Sequence, residues 1–186
     1  MNDETNDTCI PTQEQLMEER RRQSQIIQLE RELQIACYEK DLQKVEFLLK
    51  YPEININQGN DYGFTPLIFA SKEGHTEIVK MLLSDPRIDV NLGDKTGKTA
   101  FYWACYLKRT RIVRLLLSNP LVDVNRATTS GFTSLMAASF NGDIEIVKLM
   151  LIKREVDVWA LDKCEKTALD YTSHPQIIKI LESRAA

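Results

Sequence analysis

The chain has little of what enzymatic chemistry most often draws on. Among its 186 residues there are only two histidines and seven glycines. His75 and His174 are almost a hundred positions apart, so neither a histidine-rich metal site nor a His-assisted nucleophile has a ready pair. No glycine-rich phosphate loop occurs. The four cysteines, Cys9, Cys37, Cys105 and Cys164, have wide, irregular gaps and no C-x-x-C pair. That excludes a zinc knuckle and a dense disulfide framework, and the expected state is free thiols in a reducing compartment, the cytoplasm or the nucleus. No 18 apolar residues run together, and the first residues are polar without an apolar signal core, so a chain that neither spans a membrane nor is secreted is expected. A formal charge of -3 excludes attraction of the whole molecule to nucleic acid or anionic lipid.

What is present is enough apolar sequence, 43%, for a continuous core, together with a strict internal period. Gly63, Gly97 and Gly131 are spaced by 34 residues, with Glu165 at the next step. Thr65, Thr99, Thr133 and Thr167 keep the same period, as do Ala36, Ala70, Ala104 and Ala138. Asn57, Asn91 and Asn125 form a further series, which Trp159 breaks. Coiled-coil, α/β and β-sandwich readings do not accommodate this phase agreement.

Each unit has one grammar. A turn such as Asn60-Asp61-Tyr62-Gly63 leads into a helix from TPLIFASKE, a short turn at Gly74-His75, and a helix EIVKMLLS. The glycine permits positive φ. Thr65 can cap the first helix, and Pro66 at its first position loses no needed hydrogen bond. Ala70 and Ser71 allow close helix approach, while Ile78, Val79, Leu82 and Leu83 form a face that only a stacked neighbour can cover.

The strings TPLIFASKEGHTEIVKMLL, TAFYWACYLKRTRIVRLLL and TSLMAASFNGDIEIVKLML resemble the ankyrin repeat over roughly residues 29–183. The resemblance implies an all-α solenoid of helix-turn-helix units with β-turn fingers, about four to five repeats including caps. The expected organisation is a disordered tail over 1–11, then a single domain over 12–186. Within it lie an N-terminal helix and cap (12–59), repeats at 60–93, 94–127 and 128–161, and a C-terminal cap (162–186). The family's histidine after Pro-Leu is replaced by Ile68, Tyr102, Met136 and Asp170, so its usual hydrogen bonds are absent and each repeat is expected to be less stable than a consensus unit. Gly74 and Gly142 close first helices, yet Lys40 and Lys108 stand in the same slot, where a left-handed conformation costs about 1 kcal/mol. Thr12 and Gln15 offer a capping box, and Ile26, Leu29 and Leu33 form an apolar stripe on the first helix.

The resemblance further implies a protein-protein interaction module, an adaptor, scaffold or inhibitor, that catalyses nothing and needs no cofactor or metal. Partners of such proteins meet the turn fingertips and the exposed side of each first helix. In this chain the fingertip slots hold Asp61, Tyr62, Phe64, Lys95, Thr96, Lys98, Thr129, Ser130, Phe132, Lys163 and Lys166; the helix slots hold Tyr38, Glu39, Lys72, Glu73, Tyr106, Leu107, Phe140 and Asn141. Tyr38, Tyr106 and Phe140 share one slot, and a line of rings beside lysines suits a protein or peptide. These rings can equally pack on one another between repeats. Trp103 is expected in the core.

Residues 94–127 carry seven basic side chains, Lys95, Lys98, Lys108, Arg109, Arg111, Arg114 and Arg126, against Asp94 and Asp123. A basic patch of Lys108, Arg109, Arg111 and Arg114 is open to three readings: an acidic protein segment, nucleic acid or a phosphoinositide, and a merely solvated face. Asn91 and Asn125 resemble the loop asparagines that an oxygen-dependent hydroxylase modifies in some animal ankyrin proteins. A third functional alternative is self-association through the Ile26, Leu29 and Leu33 stripe, although a monomer is expected.

Overall fold

The computed structural model describes residues 12–185; the tail expected over 1–11 lies outside the described residues. The elements are α1 (Gln13–Glu39), α2 (Leu42–Leu48), α3 (Pro66–Glu73), α4 (Thr76–Leu83), α5 (Ala100–Tyr106), α6 (Thr110–Ser118), α7 (Ser134–Phe140), α8 (Ile144–Leu151) and α9 (Pro175–Ala185). Among the described residues there is no strand, only an isolated bridge between Gly93 and Thr99. Helices α1, α3, α5 and α7 pack side by side as an inner row, and α2, α4, α6, α8 and α9 as an outer row. This is the all-α solenoid that the resemblance implies.

Local chemistry sets the boundaries. The hydroxyls of Thr65, Thr99 and Thr133 accept from the amides of Ile68, Tyr102 and Met136 at 3.3, 3.1 and 3.3 Å and so start α3, α5 and α7. The alanine series lies at the helix crossings, with Ala70, Ala104 and Ala138 all at 0% exposure, so backbones can close on one another. Cys37 and Cys105 are buried small side chains, as expected, and burial pushes both thiols up from their ordinary pKa. Lys40 and Lys108 do take the left-handed conformation, at φ 66° and 56°, beside Gly74 at 87° and Gly142 at 67°. The capping box of Thr12 and Gln15 is formed. Leu33 is fully buried and Leu29 packs against the core, so two members of the α1 stripe already face the stack.

The last unit departs from the expected helix pair. In place of its first helix there is one turn over 168–171. Here the Thr167 hydroxyl donates to Asp170 Oδ2 at 2.7 Å, and the Thr167 amide meets the same oxygen at 2.8 Å. Asp170 thus reverses the capping role that the other threonines play, and its own amide turns back to the Thr167 carbonyl.

Neighbouring units are tied along both edges. At the loops, Asn57, Asn91 and Asn125 donate to the carbonyls of Arg87, Leu121 and Glu155 at 2.8, 2.7 and 2.6 Å, and each accepts from the amide of Asp89, Asp123 or Asp157. Trp159 keeps the turn but not the bridge, and its indole is exposed. Arg87 adds a clip: its guanidinium donates to the carbonyls of Leu49 and Tyr51, at 3.0 and 2.9 Å, and pairs with Asp85 at 2.6 Å, which holds that carboxyl below its usual range. At the fingers, the amides of Lys95, Thr129 and Lys163 donate to the carbonyls of Tyr62, Thr96 and Ser130 in the preceding finger.

Candidate functional site

Each finger is fastened at its base by one side chain. Asn60 Oδ1 accepts from the amides of Tyr62 and Phe64, and Thr128 Oγ1 accepts from that of Phe132. Asp94 Oδ1 accepts from the amides of Thr96 and Lys98 and from the Thr96 hydroxyl, while Asp162 Oδ1 accepts from the amides of Cys164 and Lys166. The two aspartates each retain a second oxygen, and both use it on a ring. Asp94 Oδ2 accepts from the Trp103 indole at 3.1 Å, and Asp162 Oδ2 accepts a short hydrogen bond from the Tyr171 hydroxyl. That bond lowers the Asp162 pKa and is the largest cause that pushes Tyr171 up to about 12.

A lysine covers each of these rings. Lys98 Nζ lies 5.1 Å from the centre of Trp103, and Lys166 Nζ lies 5.5 Å from that of Tyr171. A phenylalanine from the preceding finger closes the other side: Phe64 packs edge-on to Trp103 at 5.9 Å and Phe132 to Tyr171 at 4.8 Å. The sequence therefore alternates with a 68-residue, two-unit period: Phe64 with Phe132, Asp94 with Asp162, Lys98 with Lys166, and Trp103 with Tyr171. Tyr38 with Tyr106, Cys37 with Cys105, and Lys40 with Lys108 follow it too.

Between the two ring assemblies, the slot that holds Phe69, Trp103 and Tyr171 holds Ala137, which is fully buried, and in the first unit it holds Ile35. A groove of about 520 Å³ is walled by Tyr102, Tyr106, Phe132, Phe140 and Tyr171 and rimmed by Thr96, Lys98, Thr128, Thr129 and Ser130. Tyr102 stacks on Tyr106 at 6.0 Å, and burial, with smaller effects from Tyr106 and Asp94, pushes its pKa up to about 12. Phe140 remains 61% exposed and Tyr106 39%. Among the described residues, Lys98 has no carboxylate within ion-pair distance.

The residues that sequence reasoning placed on the binding face divide into groups. Tyr106, Phe132, Phe140 and Lys98 come together in the groove. Tyr38, Tyr62 and Phe64 belong to a second cluster, in which Tyr38 meets Phe69 at 5.8 Å and Phe64 joins Tyr62 and Phe69. Asp61 and Lys95 are exposed at fingertips. Lys72 and Glu73 pair with each other at 2.9 Å. Leu107 ends α5 and is half-buried, and Asn141 donates to the Tyr106 carbonyl at 2.6 Å. Trp103, expected in the core, is half-buried between rings because its N–H needs Asp94. Tyr102, Thr128 and Tyr171 were missed as groove residues; the pairing of Tyr171 with Trp103 across 68 residues was the available signal for Tyr171.

The basic patch does not form one cluster of free charges. Arg109 Nε donates to the Lys72 carbonyl at 3.1 Å, and Arg114 pairs with Glu145 at 2.7 Å, while Lys108 and Arg111 are exposed. Both amide ends of Asn91 and Asn125 are held in the loop bridges. Cys164 is exposed.

A family model described as ankyrin repeats (3 copies) matches residues 18–94 and 86–162, well over half of the chain. The chain belongs to the ankyrin-repeat family. Ankyrin repeats are generally protein-protein interaction modules, and proteins built from them are typically non-enzymatic. A search of curated proteins returns no match. No described helix of this ankyrin protein is long and apolar enough to cross a membrane.

Proposed function

We propose that this ankyrin protein is an adaptor, scaffold or inhibitor that holds a partner protein in the groove centred on Tyr106 and Phe140, without catalysis or cofactor. The observation that carries this reading is the exposure of large rings where the core does not need them: Phe140, 61% exposed, and Tyr106, 39% exposed, line an open groove. A rigid stack, tied at fingers and loops, offers those side chains at little entropic cost on binding. Within this reading the partner-contacting set is Tyr106, Phe132, Phe140 and Lys98, with Tyr38, Tyr62 and Phe64 extending the surface toward the N-terminal end, and the working compartment is cytoplasmic or nuclear. The domain is taken as one unit over 12–186.

Affinity purification from native lysate with the wild type and a Tyr106→Ala, Phe140→Ala double variant tests the proposal. Both residues are exposed enough for the fold to survive their loss. The wild type is expected to retain proteins that the variant does not; identical recovery by the two would refute the groove as the binding surface.

A further inference from the structure

The groove has a chemical character that narrows what it can hold. Its walls are aromatic, its rim is hydroxylated, and among the described residues Lys98 is the one charged side chain that lines it. The obvious counter-ion for Lys98 is Asp94, yet Asp94 holds two amides and a hydroxyl on Oδ1 and the Trp103 indole on Oδ2, and makes no ion pair with Lys98. Asp162 is occupied in the same way at the far side, beneath Lys166. The two-unit alternation thus sets an ammonium group at each side of an apolar slot, with the nearest carboxylates already committed to holding the fingers and rings in place. Asp94 keeps its negative charge, but no carboxylate of the described residues lies within ion-pair distance of Lys98, so the ammonium lining the groove disfavours a basic ligand beside it.

We infer that the groove recognises an extended acidic segment of a partner protein, in which a bulky apolar side chain enters between Tyr102, Phe140 and Tyr171 while flanking carboxylates reach Lys98 and Lys166. This rests on the groove being the binding surface and adds the chemistry of its occupant. The apolar side chain enters between rings that already wall the groove, of which Phe140 is 61% exposed and Tyr106 39%. The carboxylates supply the ion pairs that the chain itself withholds from its lysines. Charge complementarity of this kind raises the association rate and is salt-sensitive.

The test is selection of peptides from a random twelve-residue display library on the full chain, followed by fluorescence anisotropy with the selected peptides as labelled probes. Selected sequences are expected to be net acidic, with a Leu, Ile, Phe, Tyr or Trp within two residues of a carboxylate. Affinity for the wild type should fall at least tenfold in a Lys98→Glu, Lys166→Glu variant, at least tenfold in Phe140→Ala, and several-fold between 50 mM and 500 mM salt. Basic or uncharged selected peptides, affinity unchanged in the lysine variant, or no enrichment at all would each overturn the inference. A native partner that is lost with Tyr106 and Phe140 but retained with the lysine variant and at high salt would leave the groove standing and remove the acidic segment; retention with both variants would remove the groove itself. Circular dichroism of each variant at the assay temperature confirms that loss of binding is not loss of fold.

Discussion

The finger-and-helix segments at 94–103 and 162–171 share three features that the one between them at 128–137 lacks. The outer two have aspartate, lysine and a large ring; the middle one has Thr128, Phe132 and Ala137. In the outer segments an acid at the finger base grips a ring from the following turn or helix and a lysine lies on the ring. In the middle one the finger is fastened by a hydroxyl, nothing grips a ring, and a groove is left. The same backbone scaffold thus carries a closed surface or an open one according to a few side chains, which is how a repeat protein separates holding itself together from holding something else.

The comparison can be broken most severely at Trp103. Its replacement by alanine removes a half-buried indole packed on Phe64 and Tyr106 and leaves buried Asp94 short of a donor, so a loss of about 3 kcal/mol is expected in urea denaturation. The equivalent Tyr171→Ala is expected to cost less, about 1–2 kcal/mol, because that ring closes a unit already reduced to one turn. Equal losses at the two sites would contradict the ranking. Ala137→Trp makes the middle segment resemble its neighbours, and is expected to cost about 1–3 kcal/mol from overpacking a fully buried position, measured by the same denaturation.

A smaller contrast lies in the left-handed positions. A side chain added at Gly74 would begin 3.1–3.3 Å from the Arg109 guanidinium, whereas at Gly142 the nearest atom is His174 Cδ2 at 3.9 Å. Gly74→Lys is therefore expected to destabilise by about 2 kcal/mol and Gly142→Lys by about 1, while Lys108→Gly stabilises by up to about 1 kcal/mol. Thermal melts of the three variants check the order.

The smallest effect is with pH. Tyr102 and Tyr171 are pushed up to about 12, above the value near 10 expected for an unfolded tyrosine. A raised tyrosine pKa means that the fold favours the neutral phenol. Its contribution is fully present below pH 10 and is lost as pH rises through about 12. The urea midpoint should decline over that window and decline less in a Tyr102→Phe, Tyr171→Phe variant; parallel declines would show that neither phenol is responsible.

Much of this architecture was legible in the sequence because repetition makes each weak signal count several times. Thr65, Thr99 and Thr133 announced helix starts, and Lys40 and Lys108 announced strained helix ends, since caps are local chemistry. The last unit was not legible: Thr167 matches its series, and only the side chain of Asp170, three residues on, turns the cap into a short turn. The groove was legible in part: Thr96, Lys98, Tyr106, Thr129, Ser130, Phe132 and Phe140 line it from the expected fingertip and helix slots, whereas Tyr102, Thr128 and Tyr171 were not expected there. A 34-residue comparison treats every unit as equivalent, while the 68-residue alternation separates them. Arg109 and Arg114 were visible as charges, but their partners, the Lys72 carbonyl and Glu145, lie in neighbouring units that charge counting along the chain does not bring together.

The most direct test of the groove is amide chemical-shift mapping of the labelled chain on titration with a selected peptide or a captured partner. The largest perturbations are expected at residues 96–106, 128–132 and 140–141 and at Tyr171, on the inner row and fingers. Perturbations concentrated instead on the outer row, over Thr110–Ser118 and Ile144–Leu151, with the groove silent, would contradict the account.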